Sequence, residues 1–414
     1  MKGKKKKPKP KFDQINFVNK NFVSNIESLR EFAKSLGPVV TERDDEEIKS
    51  FVKKVNKILK YALIESKTKA KKGEGKTEFD ISNYQFKKLR EAVFNIETPH
   101  SVILYEGTFM LLFTYFDGLI SDLMHNYFRS FPKLLESGSV NLSLEELNLS
   151  KTVKEAKAYL ISKHIEHLMY KNLEEQINYF EENLHIKCQE HIDWIKIAEA
   201  KERRNLLVHN NGLVSRRYLQ RFKAKMYHPN NKSLKEGDLL SINNEYFNRT
   251  LDEILISGII FGQECWRKWH PKDLESADTD LIERIYKLLL EKKWELAQRL
   301  SHYGRNSKVF NDAKQLIYDF NYCLCLKSLG KSEELNRELN NIDVSSLNPY
   351  LLLGYYALKK DASNFYKSLR NTLGAFDLEK ELLLEWPIVQ ELRDDKNFRN
   401  NINRIYREAI PAST

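Results

Sequence analysis

Glycine and proline are scarce in this chain, 15 and 10 of its 414 residues. An all-β fold needs a turn roughly every eight to twelve residues and draws on both residue types to make it, so long stretches without them point to helix. Leu, Lys, Glu, Asn, Tyr and Phe fill those stretches, which is a mostly helical vocabulary. Hydrophobic residues make up 41% of the chain, enough at this length for the cores of roughly two or three domains. The expected fold class is all-α.

The net charge of +10 sits mainly in one place, because seven lysines fall within the opening MKGKKKKPKPK. Such a segment repels itself and has no apolar side chains to bury, so a partly disordered basic tail is expected over residues 1–40. It could speed encounter with nucleic acid or an acidic surface, or simply keep the terminus solvated. It lacks the apolar core of a secretory signal, and no run reaches the roughly 18 apolar residues of a membrane span. The most hydrophobic segment, FMLLFTYFDGLI, is interrupted by Asp117. Four cysteines, Cys188, Cys265, Cys323 and Cys325, are too few and scattered for a disulfide framework. A cytoplasmic setting without a membrane partner follows as the expectation, with Cys323 and Cys325 read as packing residues on different sides of a helix.

Hydrophobic spacing places the elements. Ile48, Phe51, Val52, Val55, Ile58, Leu59 and Leu63 recur at three and four, predicting a helical hairpin from Asp44 to Ser66, followed by a basic loop, KTKAKKGEGKTEFD. The strongest helix signal runs from about Val102 to Arg129, where Phe109, Leu112, Phe113, Phe116, Leu119, Ile120, Leu123 and Tyr127 form a face wide enough for the centre of a bundle. Asn141 and Ser143 are the expected caps in the loop that follows, and further helices are expected at Val153–Tyr170 and around Tyr179 and Phe180. HIKCQEHIDWIKIAEAKERRNLLVHNNG reads as a long helix stopped by Asn210, Asn211 and Gly212. A basic helix, SRRYLQRFKAKMY, and an amphipathic one, LDEILISGIIFGQECWRKWH, come next. Beyond Pro271 the pattern changes to short paired helices that gain a core by stacking on neighbours, ending in a capping segment, LLLEWPIVQELRDDKNFRNNI.

Chemistry concentrates in RRNLLVHNN. On a helix Asn205 and His209, four apart, face the same way, while Arg204 lies about 140° round from His209. A long guanidinium covers part of that gap if the helix end unwinds at Asn210. RNA carries its own nucleophile, the 2′-OH, and needs a proton acceptor and stabilisation of phosphate charge. A histidine can move the proton, an arginine can fork onto the phosphate, and an asparagine can orient either. No metal or other cofactor is called for. A looser second pairing, Arg221 with His228, is discounted because Pro229 follows at once.

The string ERRNLLVHNNGLVSRRYL resembles the signature of the HEPN superfamily: arginine, a polar residue, three mostly apolar residues, then histidine. Here those positions are Arg204, Asn205, Leu206 to Val208, and His209, and Asn211, Gly212 and the basic helix after them are also similar. The likeness covers about residues 100–270, including the aromatic-rich helix from Tyr105 to Phe128. It implies a HEPN-type helical bundle, commonly dimeric with two copies of the motif facing one cleft. It implies a metal-independent endoribonuclease that leaves 2′,3′-cyclic phosphate and 5′-hydroxyl ends, with Arg204 and His209 catalytic and Asn205 supporting. Many such proteins act in bacterial antiviral, abortive-infection or toxin–antitoxin defence. One chain carries one good motif, so a homodimer is the simplest way to pair it.

Arg203, Arg216, Arg217, Arg221, Lys223 and Lys225 form the expected RNA-binding set, with Tyr218, Phe222 and Tyr227 interleaved. An ordinary solvated helix face, with Leu219 and Phe222 in the core, is the other reading. His164, His167, His185 and His191 lack the spacing of a metal helix and are read as solvent-facing. The C-terminal part resembles tetratricopeptide-like repeats, with Leu329, Gly330 and Glu334 at a turn and Gly354 and Tyr355 at a close helix contact. That likeness implies a regulatory protein or ligand held by the repeats. The resulting partition is 1–40 tail, 41–99 helical extension, 100–272 HEPN-like domain and 273–414 repeat domain. A non-catalytic RNA-binding or protein-interaction scaffold stands as the alternative function.

Overall fold

The structure is a computed structural model that describes residues 15–70, 83–94, 98–132, 141–187, 190–222, 234–375 and 378–409. Among these residues the fold is all-α, apart from an isolated antiparallel bridge between Leu213 and Leu239. The helices are α1 (Ile15–Ala70), α2 (Asn83–Phe94), α3 (His100–Ser130), α4 (Leu144–Asn148), α5 (Val153–Met169), α6 (Leu173–Glu182), α7 (Trp194–Asn210), α8 (Arg216–Phe222) and α9 (Asn244–Trp269). They continue as α10 (Leu274–Leu290), α11 (Trp294–Asn306), α12 (Asp312–Ser328), α13 (Ser332–Asn340), α14 (Pro349–Leu358), α15 (Ala362–Ala375), α16 (Lys380–Glu385), α17 (Gln390–Arg393) and α18 (Phe398–Ala409). By contact the chain forms two compact units, one of Asn21–Ile120 and Trp194–Leu255, the other of Met1–Lys20, Ser121–Asp193 and Ile256–Thr414.

Residues 15–40 were expected in the tail and are instead the start of α1. Ile15, Val18, Phe22, Ile26, Leu29 and Ala33 recur at three and four, and all are buried. That stripe, not the lysines before it, decides the local structure; the lysine-rich opening itself lies outside the described residues. Nor is there a separate hairpin at Asp44–Ser66, because α1 runs through it, leaving Ile48, Val52 and Leu59 exposed. Pro38 sits inside this helix, and the Thr41 hydroxyl donates to the carbonyl of Gly37 at 2.8 Å. A Cβ at Gly37 would stand 2.6 Å from the Tyr105 hydroxyl, so glycine is what lets α1 approach α3 here.

In the unit Asn21–Ile120 with Trp194–Leu255, the aromatic face expected near Val102–Arg129 is buried as α3: Phe109, Leu112, Phe113 and Phe116 have no exposed surface. Phe22 of α1 meets Phe116 at 6.5 Å between ring centres, and Tyr105 meets Phe247 of α9 at 5.9 Å. Arg30 of α1 bonds Glu27 at 3.2 Å and Asp252 of α9 at 2.7 Å. Asp44 of α1 caps α3 from a distance, accepting the His100 N–H at 2.7 Å and the Ser101 N–H at 2.9 Å. Among the described residues α3 alone is long and apolar enough to cross a membrane, and its Phe109, Phe113 and Phe116 are buried in this core.

In the second unit Thr152 caps α5, and the expected cap Ser143 forms a capping box with Glu146 at α4. Phe180 of α6 packs on Phe261 of α9 at 4.7 Å. His164 is not solvent-facing: it lies edge-on to Phe128 and hydrogen-bonds the Tyr179 hydroxyl at 2.9 Å. Burial, with His167 nearby, holds its pKa below the usual value. His191 is also half-buried, whereas His167 and His185 are exposed.

The paired helices beyond Pro271 are α10 with α11, α12 with α13, and α14 with α15. Each pair closes on a residue in the left-handed region, Lys292 (φ 56°), Gly330 (φ 73°) and Lys360 (φ 57°). The next N–H bonds the carbonyl five residues back at 2.9 Å in all three: Lys293 to Leu288, Lys331 to Leu326 and Asp361 to Tyr356. This is one helix-stop geometry used three times. A Cβ at Gly354 would meet Phe320 of α12 at 3.2 Å, the close helix contact expected there. Arg267 of α9 pairs with the fully buried Asp278 of α10 at 2.8 Å, and Asp278 also accepts from the Tyr318 hydroxyl and the Phe310 N–H. Cys323 and Cys325 are buried packing thiols, their pKa pushed up to about 12 by burial.

Candidate active site

The site starts from how α7 stops. Asn211 (φ 50°) and Gly212 (φ 75°) both lie in the left-handed region, and the Gly212 N–H bonds the carbonyl of Leu206 at 3.0 Å. A Cβ at Gly212 would stand 2.9 Å from the Leu240 carbonyl oxygen. The chain then pairs briefly, Val214 N–H to Asp238 and Leu240 N–H to Gly212. Leu206, Val214, Tyr218, Phe222, Leu234 and Leu240 form a small core around this turn. The helix end is thereby fixed, and the exposed faces of α7 and α8 are presented on a rigid support.

Arg203 and Arg204 are neighbours with opposite fates, because consecutive helical residues diverge by about 100°. Arg203 turns inward. It bonds Glu199 Oε1 through Nε at 3.0 Å and Nη2 at 2.9 Å, and its guanidinium lies 3.8 Å from the centre of the Tyr246 ring. The Tyr218 hydroxyl donates to the same carboxylate oxygen, and the Tyr246 hydroxyl donates to Glu199 Oε2 at 2.7 Å. Burial pushes both phenols up in pKa. Burial opposes the charge on Arg203, and the phenol oxygen of Tyr246 and the hydrogen-bonded Glu199 carboxylate outweigh it. Arg203, expected among the RNA contacts, is therefore a structural cation tying α7 to α8 and α9.

Arg204 turns outward and remains partly exposed. Its Nη1 donates to Asn205 Oδ1 at 3.1 Å, and its Nη2 lies 3.9 Å from Asp117 Oδ2. Lys201 bonds the other Asp117 oxygen at 2.7 Å, and Asn205 Nδ2 reaches Glu202 at 3.4 Å. His209 is exposed in the last turn, and α7 stays helical through Asn210 instead of unwinding. The structure thus joins Arg204 to Asn205, while His209 hydrogen-bonds neither; its ring has no hydrogen-bond or ion-pair partner among the described residues.

On α8, Arg216, Arg217 and Arg221 are exposed while Tyr218 and Phe222 are buried. Arg221 also stands 5.3 Å from the Phe222 ring centre. Lys223, Lys225, Tyr227 and His228 lie outside the described residues. Sequence reading missed Asp117, Lys201, Glu199 and Tyr246. Asp117 was visible as a lone acid in an apolar segment, and Glu199 as an acid four residues before Arg203. Tyr246 gave no signal, since its role depends on where α9 packs.

Among the described residues one group has metal-ligand atoms within 4.8 Å of one another, Asp44, Glu47 and His100. Both Asp44 oxygens already accept backbone N–H groups, so the carboxylate works as a helix cap. Compared with family models, with curated proteins and with solved structures, the chain finds no match.

Proposed function

We propose that the chain is a metal-independent endoribonuclease of HEPN type, with Arg204, Asn205 and His209 as its catalytic residues. One observation carries the reading: Arg204 and Asn205 are linked at a partly exposed face of α7, and the same rigidly stopped helix presents His209 one turn further on. Asp117, on α3, positions Arg204 and is shared with Lys201.

The reaction needs little more. The RNA 2′-oxygen bonds to the adjacent phosphorus, and the bond from phosphorus to the 5′-oxygen breaks. His209 accepts the 2′-OH proton, Arg204 meets the non-bridging phosphate oxygens, and the leaving 5′-oxygen takes up a proton. The products are a 2′,3′-cyclic phosphate and a 5′-hydroxyl. A second His209 from another copy would supply the second proton transfer, which makes the homodimer part of the proposal. Arg216, Arg217 and Arg221 would hold the strand by its phosphates. The helical pairs would receive a regulatory partner, and a defence role rests on family likeness.

A non-catalytic RNA-binding or protein-interaction scaffold is the competing reading, favoured by the engagement of the Arg204 fork with Asn205 and Asp117. Cleavage of total cellular RNA in EDTA separates the two. Wild type is expected to cut and leave cyclic-phosphate ends, with His209→Ala slower by about a hundredfold or more. Equal cutting by both proteins removes His209 as the base, and silence from both favours the scaffold.

A further inference from the structure

From Ile48 to Lys60 the helix α1 carries lysines and no acid. Lys49, Lys53, Lys54, Lys57 and Lys60 are all exposed, and none of them has an ion-pair partner among the described residues. Other lysines of the chain are matched to carboxylates: Lys163 to Glu146, Lys201 to Asp117, Lys293 to Glu291 and Lys327 to Glu391.

The helix sorts this stretch by side. At about 100° per residue, Lys49, Lys53, Lys57 and Lys60 fall within about 80° of one another, whereas Phe51, Val55 and Ile58 fall on the opposite side and are half-buried. The four lysines therefore form a row about 16 Å long, its members roughly one turn apart. Just before the row Glu42, Asp45, Glu46 and Glu47 are exposed, which gives it a defined near end. Like charges one turn apart on a helix repel, and nothing on this face relieves them. A partner bearing a matching row of negative charge would.

The chemistry of the face selects that partner. A nucleic-acid strand brings an ionised phosphate at every residue, and lysine meets phosphate as a point charge without reading the base. An anionic bilayer binds such a helix by taking in its apolar side, in proportion to the area buried. Here only Ile48, Val52 and Leu59 are available for that, at 56%, 47% and 38% exposure.

We infer that the outer face of α1 at Lys49, Lys53, Lys57 and Lys60 binds the sugar–phosphate backbone of a nucleic acid without regard to sequence. The row lies on a different helix from the α7 and α8 residues proposed for cleavage and strand holding, and it stands whether or not the chain cuts RNA.

The test is binding of a fluorescent 2′-O-methyl RNA 20-mer, which lacks the nucleophile for cleavage, to the full-length protein over a range of salt concentrations. The comparison is with a variant carrying Lys49→Gln, Lys53→Gln, Lys57→Gln and Lys60→Gln together, and with the corresponding four Lys→Arg changes. Each phosphate contact contributes about 0.7 to the slope of log affinity against log salt for a single strand, so the glutamine variant should be shallower than wild type by about 3. Contributions from the rest of the chain cancel in that difference. The arginine variant should keep the wild-type slope, and a second RNA of unrelated sequence should give the same result. Equal melting temperatures for the three proteins show that the exposed substitutions leave the fold intact. A slope unchanged in the glutamine variant, or no RNA binding by wild type, overturns the inference. So does loss of binding to phosphatidylserine vesicles in the glutamine variant while its RNA binding stays intact, which would make the row a membrane contact.

Discussion

The pair Arg203–Arg204 shows what one residue of helical phase decides. Both are arginines in the same motif, yet one is locked to Glu199, Tyr218 and Tyr246 and the other faces Asn205 and Asp117. The motif was legible because its members are neighbours in the chain. Which arginine would be spent on the core was not, because that depends on Tyr246 of α9, more than forty residues away. The Glu199 carboxylate balances the Arg203 charge and accepts both phenols, so its loss strands three donors at once. Glu199→Ala is expected to cost about 3–5 kcal/mol, the range for removing one partner of a buried ion pair. Glu199→Gln, which keeps an acceptor, should cost less. Denaturant midpoints with a constant slope measure both, and a loss under about 1 kcal/mol for the alanine variant would show that the network is not what holds α7 to α8 and α9.

At the scale of elements, amphipathic spacing identified α3, α5, α9 and the paired helices, because each buries one face and the burial pattern is written in the residues, but the long helix expected from His185 begins only at Trp194 as α7, His185 itself lying in the left-handed region (φ 58°). It misjudged α1, where the basic opening drew attention from the apolar stripe starting at Ile15. Spacing alone also could not tell that Ile48, Val52 and Leu59 stay exposed, since an apolar face does not name its partner. The link from α1 to the start of α3 is polar and equally silent in the sequence. Burial opposes ionisation of Asp44, but hydrogen bonds from Ser101 and His100 prevail and bring its pKa from 3.8 to about 2. A carboxylate with a depressed folded-state pKa stabilises above its unfolded value and loses that contribution as pH falls through the folded one. Asp44→Ala should therefore be less stable than wild type at neutral pH, and the gap should narrow between about pH 3.8 and about 2. A gap independent of pH across that window would mean that the Asp44 charge does not matter to the cap.

For the whole molecule the decisive question is whether one chain suffices. A single His209 can accept the 2′-OH proton but leaves the departing 5′-oxygen to water, whereas two copies facing one cleft provide both transfers. The proposed activity should consequently depend on association. Light scattering is expected to give twice the chain mass of 48.9 kDa at micromolar concentration. Cleavage per chain should then fall on dilution as the dimer separates, with the drop tracking the mass measured at the same concentrations. A closed two-fold dimer repeats one surface on both partners, so substitutions at the interface would weaken mass and activity together while leaving the melting temperature of the separated chain unchanged. Cleavage per chain that stays constant down to concentrations where only the 48.9 kDa species exists would show that one His209 is enough, with water as the second proton carrier.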